Sequence, residues 1–243
     1  MKKIGEGKTT EVYLEDNRAI KIYYNTPIEY IQQEANQQSY AVAKGLLVPK
    51  VYGVKKIDEE KIALEMEFIP GKPLLREGMS KEERHAAIQT LVRLQCTLHA
   101  ICVETKEIPR QSDVLHWKIK DNQHICNEKK EQLYGLLESL NTEEYRLCHG
   151  DFHPLNVIYD GEKYWVIDWV DVTAGNPLAD ACRTYVIFQQ YISRLSGIYL
   201  RYFCEEAGVT KEDVLKWLPV IVGVRLSESL DEKERRMLLR LLE

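Results

Sequence analysis

The chain has 243 residues, which is enough for one large domain or two small ones and for a sizeable hydrophobic core. Hydrophobic residues make up 44% and charged residues 29%, a composition typical of globular proteins that excludes wholesale disorder. The formal net charge of −5 argues against phosphate-driven nucleic-acid binding, and no apolar run is long enough to span a membrane. We therefore expect neither a nucleic-acid nor a membrane partner.

The first part of the chain predicts two pairs of strands around one helix. Each pair consists of two β-prone runs separated by a short polar turn, which is the pattern of a β-hairpin. The predicted strands cover residues 11–14, 18–23, 50–57 and 61–69, with turns at residues 15–17 and 58–60.

The segment between the two pairs carries the signals of a helix that begins near residue 26. Thr26 is predicted as its N-cap, Pro27 suits the first helical position, and Glu29 stands three residues past the cap, as in a capping box. We expect the helix to run to about Lys44 and to end at Gly45.

The remainder of the chain is predicted to be mostly helical. Capping boxes that begin at Ser80 and Thr210 open two helices, and the second is expected to run through Trp217 and Val220. Residues 104–126 lack clear periodicity and are predicted to form a loop-rich insertion.

A domain boundary is predicted near residue 69, because the pattern changes at the PGKP stretch of residues 70–73. This boundary divides the chain into an N-terminal lobe of residues 1–69 and a C-terminal lobe of residues 70–243, with a connector at about residues 66–73. Within the second lobe, residues 155–168 interrupt the helices with two short predicted strands.

The cysteines indicate the expected compartment. Six cysteines are spread along the chain without a CxxC pair, and the charged N-terminus does not lead into the apolar stretch of a signal peptide. We expect reduced thiols and a cytoplasmic location. Cys148, His149 and His153 are close in sequence, but no second ligand pair has the spacing of a zinc site.

The most informative stretch is HGDFHPLN at residues 149–156, followed by a predicted hairpin and then by IDW. Asp151 precedes an amide, Asn156, by five residues, and a second acid, Asp168, comes twelve residues later. Phosphoryl transfer from ATP needs a group that orients the attacking hydroxyl, together with oxygen ligands for Mg²⁺. Asp151 suits the first role, and Asn156 and Asp168 suit the second. The Asp-to-Asn spacing equals that of the kinase catalytic loop.

These motifs resemble those of the aminoglycoside phosphotransferase family, which shares the protein-kinase-like fold with choline, homoserine, methylthioribose and fructosamine kinases. Three further segments match in order: RAIKI at residues 18–22, LEMEFIPGKPL at residues 64–74 and NPLAD at residues 176–180. The resemblance implies an α+β, bilobal protein-kinase-like fold. It has a small N-terminal lobe, made of an antiparallel sheet plus one helix, and a larger, mainly helical C-terminal lobe.

By the same resemblance, Lys21 is the lysine that binds the ATP phosphates, and it needs an anchoring carboxylate on the following helix. Glu29 and Glu34 are the candidates, and we choose Glu34 because it shares a helix face with Ile31 and Ala35. The adenine is expected at the connector, on the Glu67 carbonyl and the Ile69 amide. ATP is expected rather than GTP, although the sequence does not separate them.

The glycine-rich stretch GEGKTT at residues 5–10 contains the GKT of a Walker A loop but not its first glycine, and a strand rather than a helix follows it. We therefore interpret Gly5 and Gly7 as part of a shortened glycine-rich turn over the phosphates, between the first two strands.

The expected function is Mg²⁺- and ATP-dependent phosphorylation of a small-molecule hydroxyl. The acidic C-terminal lobe favours, weakly, a cationic acceptor such as an aminoglycoside, an amino sugar or an amino alcohol. His153 and Asp171 are candidate contacts to that acceptor, whereas Asp180 is expected to cap a helix or to hold the loop. Two alternatives stay open: a protein kinase acting on Ser/Thr, and a non-catalytic nucleotide-sensing module. The sequence does not predict the oligomeric state.

Overall fold

The computed structural model of the chain describes residues 1–7, 10–140, 144–228 and 230–241. These residues form two compact units. Unit 1 contains Met1–Arg76 and Leu155–Val170, and unit 2 contains Glu77–Pro154 and Asp171–Glu243. The lobe boundary near residue 69 stays a prediction. The segment Leu155–Val170, which begins with the last two residues of the HGDFHPLN motif, belongs to the same unit as the N-terminal part of the chain.

Unit 1 holds most of the strands and unit 2 most of the helices, which confirms the α+β class. The strands are β1 (Lys2–Glu6), β2 (Thr10–Glu15), β3 (Arg18–Tyr24), β4 (Val51–Lys56), β5 (Lys61–Glu67), β6 (Lys72–Pro73), β7 (Arg146–Cys148), β8 (Val157–Tyr159), β9 (Tyr164–Val166) and β10 (Thr173–Gly175). The helices are α1 (Ile28–Ala43), α2 (Lys81–His99), α3 (Gln111–Asp121), α4 (Asn127–Leu140), α5 (Pro177–Tyr191), α6 (Ser193–Ala207), α7 (Lys211–Leu215), α8 (Leu218–Arg225) and α9 (Glu232–Arg240).

The main sheet of unit 1 is five-stranded and antiparallel, in the order β1-β2-β3-β5-β4. The two predicted strand pairs are confirmed as the hairpins β2–β3 and β4–β5. Asp16 and Asn17 close the first hairpin with φ values of 47° and 61°, which short polar side chains tolerate best. In the second hairpin, the Asp58 carboxylate accepts hydrogen bonds from the backbone amides of Glu60 and Lys61.

Helix α1 packs its apolar face on this sheet. Ile31 and Ala35 are almost fully buried against Tyr23, Ile62 and Leu64 of the strands. Burial of this face, rather than intrinsic helix propensity, supplies most of the stability of such a helix.

The predicted N-cap of α1 is wrong. Pro27, not Thr26, occupies the cap position, without a side-chain cap bond. The Thr26 hydroxyl instead donates to the Tyr24 carbonyl, so it is not available to the first turn of the helix. The predicted end of the helix is confirmed, because Gly45 adopts a φ of 82° directly after the cap residue Lys44.

A second sheet of unit 1, in the order β6-β8-β9, contains the predicted hairpin that follows the HGDFHPLN motif. Its turn is held by Asp160, whose carboxylate accepts from the backbone amides of Glu162 and Lys163. Gly71, in the predicted connector, comes so close to the Tyr159 carbonyl that a side chain there would collide with it. The hairpin is therefore fixed to the connector within unit 1.

Unit 2 corrects two sequence expectations. Residues 104–126 are not a loop-rich insertion, because α3 lies within them and buries Leu115 and Ile119, one turn apart. The helix predicted from Thr210 through Val220 is two helices, α7 and α8. Pro219, in the first turn of α8, has no amide hydrogen to continue the preceding helix. The capping boxes at Ser80 and Thr210 are confirmed. Among the described residues, no helix is both long and apolar enough to cross a membrane.

Candidate active site

Lys21 is the centre of a buried charge cluster in unit 1. Its ammonium lies 2.8 Å from the Glu34 carboxylate and 2.8 Å from the Asp168 carboxylate. Burial lowers the pKa of Lys21, but the charges of Asp168 and Glu34 outweigh that effect and raise the pKa well above its ordinary value. Lys21 is therefore a fixed cation between two carboxylates.

Glu34 is 2% exposed, and α1 carries it on the same face as Ile31. Its second carboxylate oxygen accepts a hydrogen bond from the hydroxyl of Tyr23, which follows Lys21 by two residues and so shares its face of β3. The structure thus pairs Lys21 with Glu34, whereas Glu29 lies exposed in the first turn of α1. Tyr23 was not singled out from the sequence, although the alternation of residues along a strand could have indicated it.

Asp168 follows β9 in a left-handed backbone conformation, with φ of 65°. A residue other than glycine keeps such a conformation only when its surroundings enforce it. Here the amide of Ile167 donates to the Asn156 carbonyl, and the buried Trp169 indole donates to the Val166 carbonyl. The backbone on both sides of Asp168 is therefore fixed, and its carboxylate is directed at Lys21.

The residues predicted to bind Mg²⁺ lie in the same unit and fit the ion chemically. Asp168 supplies a carboxylate, and Asn156, 7% exposed, supplies an amide oxygen. Mg²⁺ takes oxygen ligands and is typically held by one or two carboxylates together with phosphate oxygens and water. The backbone hydrogen bond between Ile167 and Asn156 ties the two predicted ligands to one another.

Asp151 lies in unit 2, in the loop after β7. Its carboxylate is 3.3 Å from Nε2 of His153, and its backbone amide donates to Nδ1 of His149 at 3.3 Å. Burial raises the pKa of Asp151, but the hydrogen bond from His153 and the charges of His153, Arg183 and His149 hold the pKa below its ordinary value. Asp151 is therefore ionised at neutral pH.

The loop that carries Asp151 is held by Asp180, which lies in the first turn of α5 and is 2% exposed. The Asp180 carboxylate accepts from the backbone amides of Gly150, at 2.7 Å, and His149, at 3.4 Å. It also accepts from Gln95 and lies 2.8 Å from His99. Asp180 holds the loop, one of the two roles expected from the sequence.

Asp171, the second candidate contact to the acceptor, also borders this loop. Its carboxylate lies 3.0 Å from the Lys118 ammonium on α3 and 3.8 Å from the Arg183 guanidinium on α5. Arg183 in turn donates to the Gly150 carbonyl and lies 2.8 Å from Glu228. Lys118 and Arg183 were not predicted as site residues. Arg183 stands three residues after Asp180, a helical spacing that could have indicated it.

The residues predicted to contact the nucleotide base and the phosphates are placed as follows. Gly5 lies in β1, and the amide of Gly7 donates to the Thr10 carbonyl across the turn into β2. Lys8 and Thr9 lie outside the described residues. Glu67 ends β5, and Ile69 follows it, half-buried, outside any strand.

The model of the phosphotransferase enzyme family matches residues 4–218, which is most of the chain. The chain belongs to the phosphotransferase enzyme family. The resemblance inferred from the sequence motifs is thereby confirmed.

The relatives of this phosphotransferase family member include aminoglycoside kinases. An aminoglycoside 3'-phosphotransferase from Streptomyces ribosidificus is 25% identical over an alignment of 156 residues, which covers 59% of this chain and 59% of that protein. The aligned part therefore spans less than two thirds of that relative.

Solved structures confirm the protein-kinase-like fold. A thermostable mutant of aminoglycoside phosphotransferase APH(4)-Ia, in a ternary complex with AMP-PNP and hygromycin B, has a TM-score of 0.72 at 16% identity, covering 98% of this chain and 90% of that chain. An amicoumacin kinase in complex with AMP-PNP and Ca²⁺ has a TM-score of 0.68 at 17% identity, covering 98% and 85%.

Proposed function

We propose that this protein transfers the γ-phosphoryl group of ATP to a hydroxyl group of a small molecule. The observation that carries the proposal is the buried Lys21 ammonium, held at 2.8 Å by both Glu34 and Asp168. Enzymes that transfer phosphoryl groups with this fold bind the nucleotide phosphates through a charged lysine, which lies between an anchoring carboxylate and a metal-binding carboxylate. Family membership and the named activities of the relatives support the same reaction.

On the nucleotide side, the chain supplies a positioned positive charge for the ATP phosphates and ligands for the metal ion. Glu34 and Tyr23 fix the Lys21 ammonium, which then makes charge-assisted hydrogen bonds to the phosphates. Asn156 and Asp168 would hold Mg²⁺, which when bound neutralises negative charge on the phosphate oxygens. The remaining nucleotide contacts are proposed by resemblance: the turn with Gly5 and Gly7 for the phosphates, and the connector after β5 for the adenine.

On the acceptor side, Asp151 orients the attacking hydroxyl and accepts its proton. Because its pKa is held below the ordinary value, Asp151 is ionised at neutral pH and can accept the hydroxyl proton. Most of the rate enhancement then comes from positioning the hydroxyl in line with the phosphorus, as expected for a loose phosphoryl-transfer transition state. The anchoring of the loop by Asp180 serves this positioning.

The proposed setting is a reducing compartment, the cytoplasm, with a small-molecule hydroxyl compound as the partner and no nucleic acid. All six cysteines are free thiols. Cys148 and Cys182 are buried, and burial raises the pKa of both thiols, so they are protonated and unreactive.

The test is a panel of hydroxyl compounds incubated with the protein and MgATP. The panel includes aminoglycosides, amino alcohols, neutral sugars and hydroxy amino acids, and the product is identified by phosphorus NMR. We expect a phosphate ester with at least one of these compounds and none with Lys21→Met. Phosphorylation of a generic protein such as casein, without any small-molecule ester, would show a protein kinase. Tight MgATP binding without any turnover would show a nucleotide sensor, and either result contradicts the proposal.

A further inference from the structure

Asp171 lies on the acceptor side of the proposed reaction, because it is packed against the residue that precedes Asp151. Gly150, with φ of 80°, comes so close to the Asp171 backbone that a side chain at this position would collide with it. Strands β7 and β10, which lead into and out of this region, pair antiparallel with Cys148 opposite Thr173. Asp171 is thus a carboxylate that borders the loop carrying Asp151.

The carboxylate of Asp171 is already engaged by cations of the chain. Lys118 lies 3.0 Å from one oxygen and Arg183 lies 3.8 Å from the other. The side chains of Lys118 and Asp171 are only 20% and 32% exposed, so their attraction is screened less than that of a surface pair. The two charges hold the pKa of Asp171 below its ordinary value although burial raises it.

Glu228 shares the Arg183 guanidinium with Asp171, and its carboxylate is also paired with cations of the chain. Glu228 accepts hydrogen bonds from Arg183, at 2.8 Å, and from Arg225. Among the described residues, the carboxylates of Asp171 and Glu228 are therefore paired with the cations of Lys118, Arg183 and Arg225. A site that binds a polycation needs carboxylates that its own chain has not neutralised.

A cationic acceptor would meet a specific obstacle here. To pair with Asp171 it would have to displace the Lys118 ammonium, and it would then lie beside that displaced like charge. An uncharged hydroxyl compound leaves the ion pair intact. An acidic hydroxyl compound gains the two remaining N–H donors of Lys118, since the ammonium has three donors and Asp171 takes one.

We propose that Lys118 determines the charge class of the acceptor, so that the site takes an uncharged or acidic hydroxyl compound in preference to a polycationic amino sugar. This inference rests on the proposed function, because it places the acceptor beside the loop that carries Asp151. It reverses the weak preference for a cation that the acidic composition of the C-terminal lobe suggested, since the carboxylates at this position carry their own counter-charges.

The first test measures the binding of a polycationic aminoglycoside, kanamycin, to the full chain by calorimetry at low ionic strength. Lys118→Met leaves Asp171 uncompensated on one side, and we expect it to bind kanamycin about ten-fold or more tighter than the wild type, with steeper weakening by salt. Lys120→Met is the matched control, because Lys120 is an exposed lysine on the same helix. Equal affinity of the wild type and Lys118→Met for kanamycin overturns the proposal.

The second test compares turnover, and it distinguishes this inference from the proposed function. We expect the wild type to show a higher kcat/KM with a neutral sugar or hydroxy acid than with kanamycin, and Lys118→Gln to reduce or invert that ratio. Lys118→Gln also serves if Lys118→Met folds poorly, because it retains a donor toward Asp171. A wild-type preference for kanamycin that Lys118→Gln leaves unchanged overturns the inference. Absence of turnover with every acceptor contradicts the proposed function instead, and the binding comparison still decides the role of Lys118.

Discussion

Replacing Glu34 by glutamine tests how the Lys21 ammonium is held. The substitution keeps the shape of the side chain and removes its charge, while the neighbouring Tyr23 hydroxyl and the packing of α1 are retained. Glu29→Gln is the matched control, because Glu29 is exposed on the same helix. Lys21 is then left with Asp168 as its charged partner, and the ammonium moves toward the residue that is proposed to bind Mg²⁺.

The size of the effect follows from the distances and the burial. Two unit charges 2.8 Å apart attract by about 6 kcal/mol at an effective dielectric constant of about 20, and the desolvation of each ion offsets several kcal/mol of that. Removing one partner of a buried ion pair typically costs about 3–5 kcal/mol. Because Asp168 still compensates Lys21 at 2.8 Å, we expect a loss at the lower end, about 3 kcal/mol. We expect a loss of the same size in the binding of the ATP phosphates by the displaced ammonium, which at about 1.4 kcal/mol for each factor of ten corresponds to roughly a hundred-fold.

The assay measures kcat/KM for ATP and the free energy of unfolding in urea for both variants. For Glu34→Gln we expect kcat/KM to fall by roughly a hundred-fold, mainly through KM, and unfolding to become easier by about 3 kcal/mol. Glu29→Gln should change neither quantity measurably. An unchanged kcat/KM in Glu34→Gln, with the protein folded, would refute the assignment of Glu34 as the anchor of Lys21.

Three further predictions concern the loop and the metal. Gly150→Ala should abolish turnover, because the left-handed backbone and the contact with Asp171 exclude a side chain. The control Gly197→Ala, at a position on α6 with open space for a side chain, should stay active, and full activity of Gly150→Ala would contradict the loop geometry. His153→Leu should raise the pKa of Asp151, since the hydrogen bond and the charge that His153 supplies to the carboxylate are both lost. In the wild type we expect no decrease of kcat/KM from protonation of Asp151 above about pH 4. In the variant this decrease should begin at a higher pH, and a pH profile identical to that of the wild type would contradict the role of His153. Asp168→Ala should abolish the Mg²⁺ dependence of ATP binding measured by calorimetry, and undiminished dependence would remove Asp168 from the metal site.

The nucleotide side of the candidate site was accessible from the sequence because its signals are local. Glu34 could be chosen over Glu29 from the helix face that it shares with Ile31. The hairpins were predictable from alternating strands and polar turns, and two capping boxes marked helix starts at Ser80 and Thr210.

The acceptor side was not accessible, because its contacts join residues far apart in the chain. Lys118 and Asp171 are 53 positions apart, and α3, which carries Lys118, was predicted to be a loop. Helix α3 buries few apolar residues on its inner face and exposes Trp117, so its hydrophobic periodicity is weak. Without that helix, nothing in the sequence indicated that Asp171 has a cationic partner.

The measurement that tests the central claim most directly compares Asp151→Asn with the wild type. ATP consumption and MgATP affinity are followed in parallel, with Asp113→Asn, an exposed residue on α3, as the control. We predict that Asp151→Asn lowers kcat by roughly 10²–10⁴-fold, while the affinity for MgATP stays within about two-fold, since Asp151 acts on the hydroxyl and not on the nucleotide. Wild-type turnover by Asp151→Asn would contradict the account.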